Sequence, residues 1–282
     1  MKTFKRLLKR KIALFSFAVI ILLVASAIFA PLLAPYDPNQ QFEQGLTLQG
    51  SPLAPNSEFI LGTDLLGRDL LSRLMYGART SLFIGLLANG FAVLLGTFIG
   101  VVAGFVRGRI GSAIMRFTDL MMAFPALLLA ITLAAIFSPS LFIVALVIAM
   151  VNWVQIARVI YTQTISISEK EFIEASRSLG ATNTRILRRH VLPHLAPFVM
   201  VWATLGISTT VLLEATLSFL GIGVRPPTPS WGNIIFENQT YFSTAPWLVF
   251  IPGAAIILLA LAFNFLGDAL RDELDPTQRG RQ

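Results

Sequence analysis

Six stretches of this chain are long and apolar enough, or nearly so, to cross a lipid bilayer: 12–33, 81–106, 117–137, 141–160, 195–220 and 245–267. A helix needs roughly 20 apolar residues to traverse about 30 Å of hydrocarbon. Backbone groups in lipid have no water to bond, so each stretch must satisfy its own amides as a helix. The expected fold is therefore an all-α polytopic membrane protein with six transmembrane helices. Ser138, Pro139 and Ser140 alone separate the third stretch from the fourth, which predicts a tight turn. Only 13% of residues are charged, about half the share of a soluble domain.

The loops set the direction. With the N-terminus inside, the inner segments hold Lys2, Lys5, Arg6, Lys9, Arg10 and Lys11, then Arg107, Arg109 and Arg116, then Arg158, Lys170, Arg177, Arg185, Arg188 and Arg189, then Arg271, Arg279 and Arg281. The outer segments hold only Arg68, Arg73, Arg79 and Arg225. Basic residues collect on the cytoplasmic side of membrane proteins, so both termini are expected in the cytoplasm. The formal net charge of +7 is spread over four separate inner segments, which argues against a nucleic-acid partner and leaves membrane lipid as the surrounding phase. The basic start resembles that of a signal peptide, but the 22 uncharged residues that follow exceed a typical signal core. An uncleaved first span is expected.

Three regions follow: 1–80, with the first span and a long outer segment; 81–267, a five-helix core; and a short polar tail, 268–282. Within the core, 168–193 is a polar inner hairpin. Ser168 and Glu171 have the spacing of a capping box, with Ile167 and Phe172 placed as a hydrophobic staple. They predict a helix over 169–179. Gly180 suits the left-handed position that ends it. A second short helix is expected from Thr182 or Asn183, ending before Pro193. Such a hairpin could lie on the inner leaflet with its arginines on phosphate. Alternatively, the small Ala175 and Ser176 would let its first helix enter a groove in a partner.

Polar residues inside the spans are few. Gly206, Thr210, Glu214 and Ser218 recur every four residues and share one helix face. A carboxylate in a span faces protein or water. Glu214, with Thr210 and Ser218, either lines a translocation path or gate, or bonds a neighbouring helix or loop amide. Asn152, with Trp153 and Gln155, faces a polar cavity or bonds another helix. Asp119 is expected to pair with Arg116, one turn away. Gly96, Gly100 and Gly104 form two overlapping GxxxG units, a pattern for close helix packing. The segment 61–82 reads as a short amphipathic outer helix that braces the bundle or meets a binding protein.

Catalysis has little material. The chain has no cysteine and two histidines, His190 and His194, which excludes disulfides and thiolate sites and points to no catalytic residues and no metal. A secondary transporter would show coupling-ion residues and inverted repeats with broken helices, and Glu214 alone is a thin basis for one. No G-x-x-x-x-G-K-[ST] phosphate loop occurs, so no ATP site is expected in this chain.

The pattern Glu174-Ala175-Ser176, three residues, Gly180, and later Leu192-Pro193 resembles the EAA motif of ABC importer permeases, with Ser176 in place of the usual second alanine. LGTDLLGRDLLSRLMYGARTSL (61–82), EATLSFLGIGVRPPTPSWG (214–232), FNFLGDALRDELDP (263–276) and the string H-V-L-P (190–193) are similar to the branch that imports dipeptides, oligopeptides or nickel, in its C-type permease subunit. The resemblance implies a type I ABC importer permease in a bacterial or archaeal cytoplasmic membrane. It implies a second permease subunit, two ATP-binding subunits that use ATP and Mg, and an extracytoplasmic substrate-binding protein. It makes Glu174, Ala175, Ser176, Leu179 and Gly180 the element that docks on the ATPase. Peptides are the expected substrate, with nickel chelates and oligosaccharides as alternatives.

Overall fold

The computed structural model describes residues 10–137 and 140–274. Lys2 through Lys9, Ser138, Pro139 and most of the tail lie outside the described residues. Helix α1 is Lys11–Ile28 and α2 the short Ala30–Leu33. A loop region follows to α3, Leu70–Val106. Then come α4 (Gly108–Ala123), α5 (Ala126–Ile136), α6 (Leu141–Ser168), α7 (Glu171–Ser178) and α8 (Asn183–Ile186). A π turn, Leu187–Val191, joins α8 to α9 (Leu192–Phe219). The last elements are α10 (Trp231–Asn238) and α11 (Trp247–Leu274). The described residues contain only isolated β-bridges besides helices and loops.

The glycine ladder sets the centre of the bundle. A methyl at Gly96 would lie 2.6 Å from the Trp153 carbonyl oxygen, and one at Gly100 would lie 2.5 Å from that of Ala157. One at Gly104 would lie 2.9 Å from the Tyr161 carbonyl oxygen and 2.7 Å from Thr164 Cβ. The register ascends on both helices, so α3 and α6 run parallel at backbone contact. The GxxxG units therefore serve packing inside this chain.

That parallel pair dictates the third crossing. The chain must travel from the end of α3 to the opposite end of the bundle before α6 can start. It does so through α4 and α5, which meet at 90°. The expected single helix over 117–137 is thus corrected to a bent pair. Pro125 has no N–H to donate, and Phe124 before it is extended (φ −83°, ψ 133°), as the proline ring demands. Five helices are long and apolar enough to cross a membrane, and the bent pair, taken as one span, makes a sixth candidate. Residues 117–123 belong to a helix that starts at Gly108 and keeps Met115 and Thr118 buried.

Three apolar clusters hold the crossings together. Ile156, Ile160, Ile173 and Leu195 join α6 to α7 and α9. Val211, Leu259 and Phe263 join α9 to α11, with Ile20 and Val24 of α1 against them. Ile84, Ala130, Ile148 and Leu217 seat α5. Two ends result. The loop end gathers 29–69 and 220–246. The hairpin end gathers α7, α8, the start of α1 and the end of α11, where Arg10 and Asp272 pair at 2.7 Å.

Two expectations about α3 change. Residues 70–82 are not a separate surface helix: they open a continuous helix of 37 residues, about 55 Å long and so longer than a bilayer is thick. Asp69 caps it, accepting from the Ser72 amide at 2.7 Å. Asp64, Arg68, Asp69 and Arg73 are buried, while Arg79 is exposed. Asp119 pairs with Arg158 of α6 at 2.6 Å and not with Arg116, because α4 lies along α6 and brings that guanidinium across.

Candidate functional site

The hairpin is anchored on one side and bare on the other. Helix α6 runs on through Ile167, which packs in the core, so Ser168 stays in its last turn. The predicted capping box does not form. Lys170, extended at φ −74° and ψ 145°, occupies the N-cap of α7 without a side-chain bond, and the Ser168 hydroxyl has no partner. Ile173 is fully buried against Ile186, Val191 and Leu195. Phe172 stacks on His194 at 5.2 Å and tilts over His190 at 5.9 Å.

The far side of α7 shows Glu174, Ala175 and Leu179. All three are exposed, and Leu179 is 88% exposed. Ser176 is half-buried and returns its hydroxyl to the Phe172 carbonyl at 2.7 Å. Gly180 ends the helix at φ +82°. Its amide donates to Arg177 O at 2.9 Å, and Ala181 donates to Ser176 O at 3.0 Å. These are the two bonds of a Schellman cap. Thr182 then caps α8 by accepting from the Arg185 amide at 3.3 Å.

The second helix does not stop before Pro193. It widens into the π turn, in which the Leu192 amide reaches back five residues to Leu187 O. Pro193 follows within the first turn of α9, where a missing N–H costs least. The hairpin is therefore continuous with α9, a helix that crosses the whole bundle, and Ile173 of α7 packs in the same cluster as Ile186.

At the other end of α9 lie the remaining sequence-predicted residues. Gly206, Thr210, Glu214 and Ser218 form one buried face. Glu214 accepts from Ser81 of α3 at 2.9 Å and from Ser218 at 2.8 Å. Each serine oxygen in turn accepts a backbone amide, Ser218 from Val224 at 3.1 Å and Ser81 from Trp231 at 3.3 Å. Glu214 thus organises the turn after α9 and the start of α10. Thr210 donates to Gly206 O at 2.6 Å and accepts from Asn152 of α6 at 3.4 Å. Trp153 is buried and stacks on Phe117, while Gln155 is exposed.

Sequence reasoning missed a second constellation at the loop end. Asp64 accepts from Arg68 Nε at 2.6 Å and lies 3.2 Å from Arg73 Nε. The second contact is an ion pair too far off line for a hydrogen bond, and Arg73 Nε has no other partner. Glu237 of α10 bridges both guanidinium groups, at 3.0 Å to Arg68 and 2.6 Å to Arg73. The Leu65 amide donates to Asn238 at 3.1 Å. The available signal was Glu237 itself, the one acidic residue of 221–246. Among the described residues, no group of three or more metal-ligating side chains converges.

Comparison with known proteins places this architecture. Residues 96–280 match the family described as binding-protein-dependent transport system inner membrane component. Residues 2–52 match the N-terminal transmembrane domain of oligopeptide transport permease C. A dipeptide transport system permease protein of Alkalihalophilus pseudofirmus is 40% identical over 99% of this chain and 90% of its own length. A di/tripeptide transport system permease protein of Pseudomonas aeruginosa is 43% identical over 91% and 85%. A glutathione transport system permease protein of Pectobacterium atrosepticum is 37% identical over 96% and 89%. Among solved structures, the inward-facing MetNI methionine ABC transporter shares the fold, with a TM-score of 0.61 and 20% identity over 72% of this chain and 96% of that one.

Proposed function

Because this chain belongs to the family of binding-protein-dependent transport system inner membrane components, we propose that it forms half of a translocation pore for di- and oligopeptides and that its hairpin is the coupling lever. The relatives named for dipeptide, di/tripeptide and glutathione transport support the substrate class. A second permease completes the pore. Two ATP-binding subunits supply the energy and hold ATP and Mg, and a binding protein delivers peptide at the loop end. The excess of basic residues puts the hairpin and both termini in the cytoplasm, with the chain in a bacterial inner membrane.

One observation carries the reading. Helix α7 buries Ile173 against the bundle yet leaves Glu174, Ala175 and the capping Leu179 exposed among the described residues. An exposed leucine beside a small residue is a socket contact that the described residues do not fill. When the ATPase dimer closes, force on that face is transmitted by the Ile173–Ile186 contact into α9. On this reading Glu214 and Ser218 clamp the loop end of α9 so that the helix moves as one body, and the Asn152–Thr210 contact ties it to α6.

The test is affinity purification of the tagged chain from its own membranes, followed by peptide uptake. Wild-type protein is expected to bring down a second permease, ATPase subunits and a binding protein. Ala175→Arg is expected to lose at least 90% of ATPase recovery and uptake, an order of magnitude set by the cost of burying an unpaired charge in a contact. Normal uptake and recovery in that variant would overturn the lever.

A further inference from the structure

The hairpin end holds a cavity that this lever does not use. It measures about 620 Å³ and lies between the last turns of α6, the first turns of α9 and the end of α11. Its floor is apolar: Phe198, Val201 and Trp202 line it. Lys170, from the joint between α6 and α7, His194 of α9 and Arg271 of α11 also line it. No aspartate or glutamate does. Among the described residues neither Lys170 nor Arg271 has an ion-pair partner. The His194 ring is fixed by the stack on Phe172 and by Nδ1 at 2.6 Å from the His190 carbonyl oxygen.

Three basic side chains from three chain segments line a cavity whose other walls are mostly apolar, at the end of the bundle where α6 gives way to the polar hairpin. A free anion would be matched by the rim but not by the floor. A hydrocarbon tail would be matched by the floor but not by the rim. Basic pockets between transmembrane helices hold lipid head groups, and the combination here fits a molecule with both parts. We propose that this cavity binds one anionic phospholipid of the hairpin-side leaflet, with its phosphate between Lys170 and Arg271 and an acyl chain against Val201 and Trp202. Lys170 is the N-cap of α7, so the lipid bridges the root of the hairpin to α11 and sets the stiffness of that joint. The inference needs the chain to span a bilayer. It does not depend on the peptide or ATPase assignments.

The complex carrying this chain would be placed in nanodiscs of phosphatidylcholine with a minority of phosphatidylglycerol and released for native mass spectrometry. The wild type is expected to retain one phosphatidylglycerol per copy of this chain at this site. Lys170→Gln with Arg271→Gln is expected to weaken that retention roughly tenfold or more, and excess inorganic phosphate is expected to leave it in place. Equal retention of phosphatidylcholine, or displacement by phosphate, overturns the proposal; displacement would identify a soluble-anion site. A photoactivatable phosphatidylglycerol on the wild type gives a second readout independent of any variant. Label on peptides from 159–205 or 270–274 supports the site, and label confined elsewhere overturns it.

Discussion

At the loop end of the bundle, Arg68 and Arg73 are buried and share Asp64 and Glu237. At the hairpin end, Glu174, Arg177, Arg185 and Arg188 are exposed and pair with nothing among the described residues. The two ends carry similar chemistry to opposite purposes. A buried ion pair is weak evidence of net stabilisation, but removing one partner strands the other without water. The loop-end cluster therefore fixes how 34–69 sits against α10. Exposed charges contribute little to the fold, so the charged face of the hairpin is not held in place by the bundle. The same helices connect the two ends: α3 starts at the loop-end cluster and reaches Glu169 through Arg107, and α9 runs between both.

The strongest way to break this contrast is Arg73→Ala, which leaves Asp64 and Glu237 to share the one guanidinium of Arg68 in a buried site with an excess negative charge. The expected loss is about 3–5 kcal/mol of stability, read as a lowered unfolding midpoint in mild detergent with early protease cleavage in 34–69. An unfolding curve that overlays the wild type would remove the distinction between the ends. Glu214→Gln comes next. Its amide NH₂ must face a serine hydroxyl that now donates to a carboxylate oxygen, and through it the Val224 or Trp231 amide. A cost of about 1–3 kcal/mol is expected, with faster hydrogen exchange confined to 220–232. Exchange unchanged in that turn would free Glu214 from its clamping role.

The hairpin sharpens the comparison from the other side. Gly180→Ala adds a methyl into open space, so only the left-handed backbone is penalised, by about 1–2 kcal/mol. Hydrogen exchange is expected to rise in 171–186 while the global midpoint barely moves. A large global shift would mean that the hairpin belongs to the cooperative core. Arg188→Gln, at the weakest end, is expected to change stability by less than about 0.5 kcal/mol. A loss comparable to that of Arg73→Ala would show the hairpin arginines to be structural.

Local spacing was sufficient for much of this. The six apolar runs, the polar face of Gly206, Thr210, Glu214 and Ser218, the glycine ladder of α3 and the Gly180 cap are all set by residues within a turn or two of one another, and period or backbone strain makes such patterns readable. The Pro125 bend was also written in the chain, yet hydropathy averaged across it into one span. Ser168 failed as a cap because Ile167 is held by the core, a force from outside the local sequence. Asp119 found Arg158 rather than Arg116 for the same reason.

Taken alone, then, the amino-acid sequence determined a polytopic helical chain with an exposed polar hairpin, because lipid forbids unsatisfied backbone and demands helices of a set length. Only the tertiary structure decided which charges are buried and with whom. Arg68 and Glu237 stand 169 residues apart, Ser81 and Glu214 stand 133 apart, and no periodicity links such positions. Their pairing exists because the parallel α3 and α6 fix the path of the chain, and that path brings α9 and α10 onto the start of α3.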